Sequence, residues 1–251
     1  RITGVVSLRG NGRFIDFNSF EMKKIEYILD NYVNYSNYQS KREFFDYMGS
    51  IDTEIVSLTQ IVDDSIVFDA RINTLNQWAT EYTKEDIANE LNILSRNGES
   101  RNAILRVIDK PTRLEFLTSI ALKQNFVDLD VRPNYHVDDE GLPTFTASGG
   151  VADIECYDTD CNSLVEVTLM CARNQATNEM PAITRHLQEA IEKEPNITHF
   201  SMLIAPSIHT DTKYMAGYSK YQYGIDILTL TIVEFVKVIN DKERILEMLT
   251  I

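Results

Sequence analysis

Hydrophobic and polar side chains alternate in residues 164–169, which have the sequence LVEVTL. Because successive side chains on a strand point to opposite faces, Glu166 shares one face with Leu164 and Thr168, while the other face is apolar. The run VADIE, which contains Asp153, precedes this strand, and the intervening DTDCN is rich in residues that favour turns. The pattern predicts a two-stranded hairpin that brings Asp153 and Glu166 together.

The N-terminal part of the chain has a different pattern. Residues 3–18, TGVVSLRGNGRFIDFN, contain two β-prone runs around a glycine-rich turn, which predicts a hairpin. The apolar residues that follow recur at helical spacing: Met22, Ile25, Ile28, Leu29 and Val33. Helical stretches continue to about Leu105, and one of them runs from Thr83 to Ser95 with Thr83 and Asp86 at its N-terminal cap. We therefore predict a mostly helical region after the hairpin.

A new segment begins near residue 110. Thr112 can cap a helix whose apolar residues form one stripe: Leu114, Leu117, Ala121 and Leu122. Glu115 lies one position off this stripe, which by itself indicates a solvated charge on the helix.

The chain after the Asp153 hairpin alternates between helix and strand. We predict a helix from about Pro181 to Lys193, an apolar strand from His199 to Ala205, a polar loop, and a strand from Ile225 to Leu230. Thr231 and Glu234 form a capping box for a last helix that reaches Val238. This order implies a mixed sheet with helices on both faces.

Composition limits the classes of function. The chain has 251 residues, enough for one large domain or two small ones. Its formal net charge of -14 argues against tight binding of nucleic acid by its own surface. There is no apolar run of membrane-spanning length and no signal-peptide pattern, so we expect no membrane partner. The three cysteines lack the spacing of a structural zinc site, and we expect reduced thiols in a cytoplasmic protein.

The paired acids allow more than one chemistry. The segment DTDCN opens like a calcium-binding loop, but Ser163 replaces the required glycine and Leu169 the required glutamate, so we reject calcium there. Two carboxylates can serve a glycosidase as acid and base. Asp153 and Glu166, however, are neighbours across a hairpin, a position better suited to holding a hard cation such as magnesium.

The spacing from Asp153 to Glu166-Val167-Thr168 resembles the PD-(D/E)xK nuclease core. Six segments occur in the order found in AlwI-like type IIS restriction endonucleases and their nicking relatives: RLEFLTSIALKQNF, VADIE, LVEVT, NEMPAITRHLQEAIEK, HFSMLIAPSIH and YGIDILTLTIVEFV. The resemblance implies an α/β, restriction-endonuclease-like mixed sheet flanked by helices and preceded by a mostly helical connector. It divides the chain into the end of a DNA-recognition region (1–18), a connector (19–109) and a nuclease domain (110–251).

The resemblance also assigns the site. Asp153 and Glu166 match the metal-binding acids, the backbone carbonyl of Val167 would be a further ligand, and Glu115 matches a helix glutamate that supports the metal. Glu179 matches an acid before the next helix. Arg185 and His186 match the TRH that follows, as candidates for phosphate contact, and Thr168 and Gln175 are further candidates for contact with phosphate or DNA. The implied catalytic residues are Asp153, Glu166, Glu115, Glu179 and His186. Thr168 stands where the wider superfamily has a lysine, so water activation would fall to the metal or to a neighbour such as Gln175 or His186.

The implied activity is hydrolysis of DNA that depends on Mg²⁺, for which Mn²⁺ can substitute, leaving 5′-phosphate and 3′-hydroxyl ends. Because the first residue is Arg1, we expect double-stranded DNA to be bound through a recognition domain missing from this fragment, which would explain the acidity. A transient homodimer or a second subunit would be needed to cut both strands. The alternatives are a strand-specific nicking enzyme of the same family and a catalytically silent interaction module.

Overall fold

This computed structural model describes residues 4–9, 14–32, 38–58 and 63–251. The predicted N-terminal hairpin is confirmed as the antiparallel strands β1 (Val6–Arg9) and β2 (Phe14–Phe17), and its glycine turn lies outside the described residues. Four helices follow: α1 (Met22–Tyr32), α2 (Lys41–Ser57), α3 (Asp64–Glu81) and α4 (Lys84–Ser95). Val33, expected in the first helix, also lies outside the described residues. The helical character of this region is confirmed, and so is the Thr83–Asp86 cap, which forms a capping box at the start of α4.

The second half of the chain builds a five-stranded mixed sheet. Its elements are α5 (Lys110–Asn125), β3 (Asp130–Pro133), β4 (His136–Val137), β5 (Pro143–Phe145), β6 (Ile154–Tyr157), β7 (Cys161–Val167), α6 (Asn174–Asn178), α7 (Met180–Lys193), β8 (Thr198–Ala205), α8 (Thr210–Tyr223), β9 (Asp226–Thr231) and α9 (Ile232–Ile239). The strand order is β3-β6-β7-β8-β9. The first three strands are antiparallel and the last three are parallel, while β4 and β5 pair separately. The predicted mixed sheet is confirmed.

Helices cover both faces of this sheet. Helices α5 and α9 pack on one face, where Phe116 and Phe235 belong to the same apolar cluster as Val165 of β7. On the other face, Leu187 of α7 packs with Leu164 of β7 in a second cluster. The first cluster also contains residues of α3 and α4, so the helical region and the sheet share a core. The division of the chain at residue 110 stays a prediction.

The polar loop predicted before residue 225 is wrong, because α8 occupies most of it. Its buried residues are small or polar, namely Thr212, Ala216 and Ser219, whereas Tyr214 and Tyr221 are exposed. The sequence therefore lacks the apolar stripe that marks an ordinary surface helix. A crossover of this length is nevertheless required, because β8 and β9 are parallel neighbours and a tight turn cannot join them.

Helix α5 corrects two further expectations. Asp109 caps it, with its side chain accepting from Thr112 N, so Thr112 lies inside the helix. Every residue from Thr112 to Leu122 is buried, which includes Glu115. The solvated-charge interpretation of Glu115 is therefore wrong: a helix packed on all sides has no solvent face on which an off-stripe charge can lie.

Candidate active site

The hairpin of β6 and β7 brings Asp153 and Glu166 together. Ile154 pairs with Val165, so Asp153, one residue before β6, stands opposite Glu166. Two hydrogen bonds join them: Val167 N donates to Asp153 Oδ2 over 2.8 Å, and Asp153 N donates to Glu166 Oε2 over 3.4 Å. The carboxylate of each strand is thus held by the backbone of the other.

Glu166 lies on a covered face of the sheet. The residue is only 9% exposed, and His186 of α7 packs over it with Nδ1 3.0 Å from Glu166 Oε1. The two atoms are within hydrogen-bond distance across the space between α7 and β7. Buried polar groups normally have such partners, and here the histidine fixes the rotamer of the glutamate.

Glu115 approaches the pair from α5. It is 3% exposed, and its Oε2 accepts a hydrogen bond of 3.0 Å from Ala147 N. Burial, followed by repulsion from Asp153, raises the pKa of Glu115. Burial and the charge of Glu166 likewise raise the pKa of Asp153. The three acids are therefore electrostatically coupled across α5, β6 and β7.

Positive charge is scarce around these acids. Within residues 63–251 and the other described segments, no lysine or arginine forms an ion pair with Glu115, Asp153 or Glu166, and the imidazole of His186 is the basic side chain that contacts one of them. Burying carboxylates without partners is costly, because water no longer stabilises their charge. These three carboxyl groups therefore lie in a buried site without a lysine or arginine partner among the described residues.

Glu179 and Thr168 meet at the end of β7. Thr168 Oγ1 donates to Glu179 Oε1 over 2.9 Å and accepts from Met170 N over 3.1 Å. Burial raises the pKa of Glu179. Arg185 is more exposed, and its Nη2 lies 3.4 Å from Nε2 of His186. Polar side chains therefore continue from Glu166 on β7 through Thr168 and Glu179 to His186 and Arg185 on α7.

Gln175 is not brought into this cluster. Its Nε2 donates to Met170 O and Ser207 O, and its Oε1 accepts from His209 N and Thr212 Oγ1. The amide is fully buried and joins α6 to the start of α8. Its polar atoms are thereby used in structural hydrogen bonds.

A second acidic group lies at the turn of the same hairpin. Ligand atoms of Asp158, Asp160 and Cys161 lie within 4.8 Å of one another. Arg244 forms ion pairs with both of these aspartates, so their charge is already compensated. The two groups therefore differ: among the described residues no lysine or arginine pairs with the acids of the Asp153 cluster, and their ligand atoms are less tightly grouped. Mg²⁺ commonly uses only one or two carboxylates, with water and phosphate completing its shell.

Two contacts of the site have no counterpart in the sequence analysis. The bond between His186 and Glu166 joins residues twenty positions apart, and Ala147 N reaches Glu115 from thirty-two positions away. No short sequence pattern predicts either contact. The predicted role of His186 as a phosphate contact did not include its bond to the glutamate.

The mixed five-stranded sheet flanked by helices is a restriction-endonuclease-like fold. Among solved structures, the small subunit (R.BspD6I2) of the heterodimeric restriction endonuclease R.BspD6I is similar, with a TM-score of 0.53, 24% identity, and coverage of 62% of this chain and 77% of that chain. The family model of the AlwI restriction endonuclease matches residues 50–238, and the chain belongs to this family. Membership supports a nuclease that cleaves DNA, and the family generally uses a divalent metal. The comparison with curated proteins gives no match.

Among the helices that the structure describes, none combines the length and the apolar character needed to cross a membrane. Cys156 and Cys161 are buried free thiols, and Cys171 is exposed. A cytoplasmic location stays a prediction.

Proposed function

We propose that this chain is the cleavage part of a type IIS restriction endonuclease and hydrolyses DNA phosphodiester bonds with a divalent metal ion. One observation carries the proposal: Glu115, Asp153 and Glu166 converge in a buried site with no lysine or arginine paired to them within the described residues. A structural ion-pair network would compensate such charges with basic side chains, whereas a metal site leaves them for the cation.

Asp153 and Glu166 would hold the metal, with the Val167 carbonyl and Glu115 completing the protein's share. Carboxylate and carbonyl oxygens are the donors that Mg²⁺ prefers, and Mn²⁺ accepts the same set. A bound cation supplies a Lewis acid for the scissile phosphate and lowers the pKa of an attacking water.

The chain's own residues orient these groups. His186 fixes the Glu166 carboxylate from α7, and Thr168 fixes Glu179 near it. Thr168 cannot supply the positive charge of the lysine found in the wider superfamily. We therefore assign to His186 the part in water activation that the lysine has in the wider superfamily. Its Nδ1 lies within hydrogen-bond distance of Glu166, and its Nε2 lies beside Arg185. Arg185 would contact the DNA phosphates, and the products would carry 5′-phosphate and 3′-hydroxyl ends.

The net charge of -14 repels the DNA backbone, so most of the affinity for DNA would come from another part of the enzyme. We propose that a recognition domain supplies it and that a second chain supplies the cut in the other strand. The similar structure is named as the small subunit of a heterodimeric restriction endonuclease, which is consistent with the proposal of a second chain. The alternative is a strand-specific nicking enzyme of the same family, which would cut one strand without a second chain.

Cleavage of supercoiled plasmid tests the proposal. The chain should convert plasmid to the nicked form with Mg²⁺ or Mn²⁺ and not with EDTA, and Asp153→Asn should abolish the conversion. Asp160→Asn is the matched control, because it removes an acid from the other cluster of the same hairpin. Metal-independent nicking, or loss of activity in Asp160→Asn alone, would contradict the assignment.

A further inference from the structure

Residues 133–148, which run from the last residue of β3 into the connection to β6, contact two of the candidate metal acids, Asp153 and Glu115; we call this segment the strap. Asn134 N donates to Asp153 O over 2.9 Å, and Asn134 Nδ2 donates to Ala152 O over the same distance. At the other end, Ala147 N donates to the carboxylate of Glu115. One segment thus holds the backbone at Asp153 and the side chain of Glu115.

The strap is also fixed to helix α3 of the helical region. Arg71 Nη1 donates to Pro133 O over 2.6 Å, and Thr74 Oγ1 donates to Glu140 O over 2.8 Å. Gly141 has a φ of +80° and lies against α3 so closely that an added Cβ would overlap Ala70 O. The strap cannot move away from α3 without breaking these contacts.

The attachment extends towards the N-terminal hairpin. Ser19 N donates to Asp139 Oδ2 over 2.9 Å, and Asp139 N donates to Asn18 Oδ1 over 3.2 Å. The strap therefore lies between the candidate metal acids and the two elements that precede the nuclease part of the chain.

We propose that the strap is a positioning element through which helix α3 sets the separation of Glu115 and Asp153. The inference rests on the proposed metal site. Glu115 lies on α5 and Asp153 lies at the start of the β6 hairpin, so the distance between them depends on what holds each of them from outside. Partners beyond the direct ligands orient a metal site and change its affinity. Asn134 acts directly behind Asp153, whereas Thr74 acts at a distance, through the strap.

Calorimetric titration of Mn²⁺ into the 251-residue chain tests this inference. Asn134→Ala should weaken Mn²⁺ binding by about 10-fold, the usual effect of losing an outer partner of a metal site. Thr74→Val should weaken it several-fold although this residue contacts neither acid. Thr80→Val is the matched control, because it removes the same hydroxyl from the same helix, where that hydroxyl donates to Asn76 O of α3 itself. Thr80→Val should bind Mn²⁺ like the wild type.

A second pair of variants probes the close approach of the strap to α3. Gly141→Ala should weaken Mn²⁺ binding, whereas Gly149→Ala, with nothing within 4 Å of its added Cβ, should not. If Gly141→Ala fails to fold, the Mn²⁺ affinity of Thr74→Val tests the contact between the strap and α3 instead. Unchanged Mn²⁺ affinity in Thr74→Val, with binding intact in the wild type, overturns the inference alone, whatever the affinity of Asn134→Ala. No Mn²⁺ binding by the wild type, or full binding by Asp153→Asn, overturns the proposed metal site as well.

Discussion

Glu115→Gln is expected to stabilise the metal-free protein while impairing its response to metal. The substitution keeps an oxygen that can accept from Ala147 N but removes a negative charge beside Asp153. Burial and that neighbour raise the pKa of Glu115 from 4.5 to about 9, so the folded state holds a proton that the unfolded chain releases near neutral pH. Between these two pKa values, folding stability falls as the pH rises, by ~1.4 kcal/mol per pH unit.

The magnitude at pH 7 follows from the distance to the unfolded pKa. Near pH 4.5 the carboxyl is largely protonated in both states, and the variant should match the wild type. At pH 7 it should be more stable by about 3 kcal/mol, and the difference should grow until the pH reaches the raised pKa. For a chain of this size, 3 kcal/mol corresponds to roughly 6–12 °C in Tm.

Urea unfolding in EDTA, followed by circular dichroism between pH 5 and 8, measures the effect. Glu26→Gln is the control, since Glu26 is exposed on α1 and should change stability by less than about 0.5 kcal/mol. Added Mg²⁺ should stabilise the wild type more than Glu115→Gln. A variant that is destabilised, or that matches the wild type at every pH, would refute the claim that Glu115 is a buried, uncompensated acid.

Three further outcomes are expected. Asp153→Ala or Glu166→Ala should abolish cleavage while the far-ultraviolet spectrum is retained, and full activity of either in the complete enzyme would refute the assignment of these acids. His186→Ala should lower the cleavage rate and Mg²⁺ affinity by about 10-fold or more, because it releases the Glu166 carboxylate; kinetics across a Mg²⁺ titration that coincide with the wild type would contradict this. The isolated chain should bind DNA more weakly than about 10 µM and without sequence preference in a gel shift with Ca²⁺, since its net charge is -14; tight, site-specific binding would contradict the division of labour.

The parts of the fold that were predictable from sequence have local signals. The Asp153 hairpin follows from period-two alternation and a polar turn, and the starts of α4 and α9 follow from capping boxes at Thr83 and Thr231. The same logic failed for α8, because its buried positions are Thr212, Ala216 and Ser219 rather than an apolar stripe.

The candidate site was predictable only in part. The pairing of Asp153 with Glu166 is local, but the burial of Glu115 depends on neighbours that surround α5 on all sides. The contact of His186 with Glu166 requires the packing of α7 on the sheet, and the strap has no pattern of its own. These features arise from tertiary packing, which no short window of sequence contains.

A crystal of this chain soaked in Mn²⁺ and measured at the manganese edge tests the central claim most directly. The account predicts an anomalous peak bounded by the carboxylates of Asp153 and Glu166 and the carbonyl of Val167, with Glu115 behind it. A peak at Asp158 and Asp160, where Arg244 now compensates the charge, with none at Asp153, would contradict it.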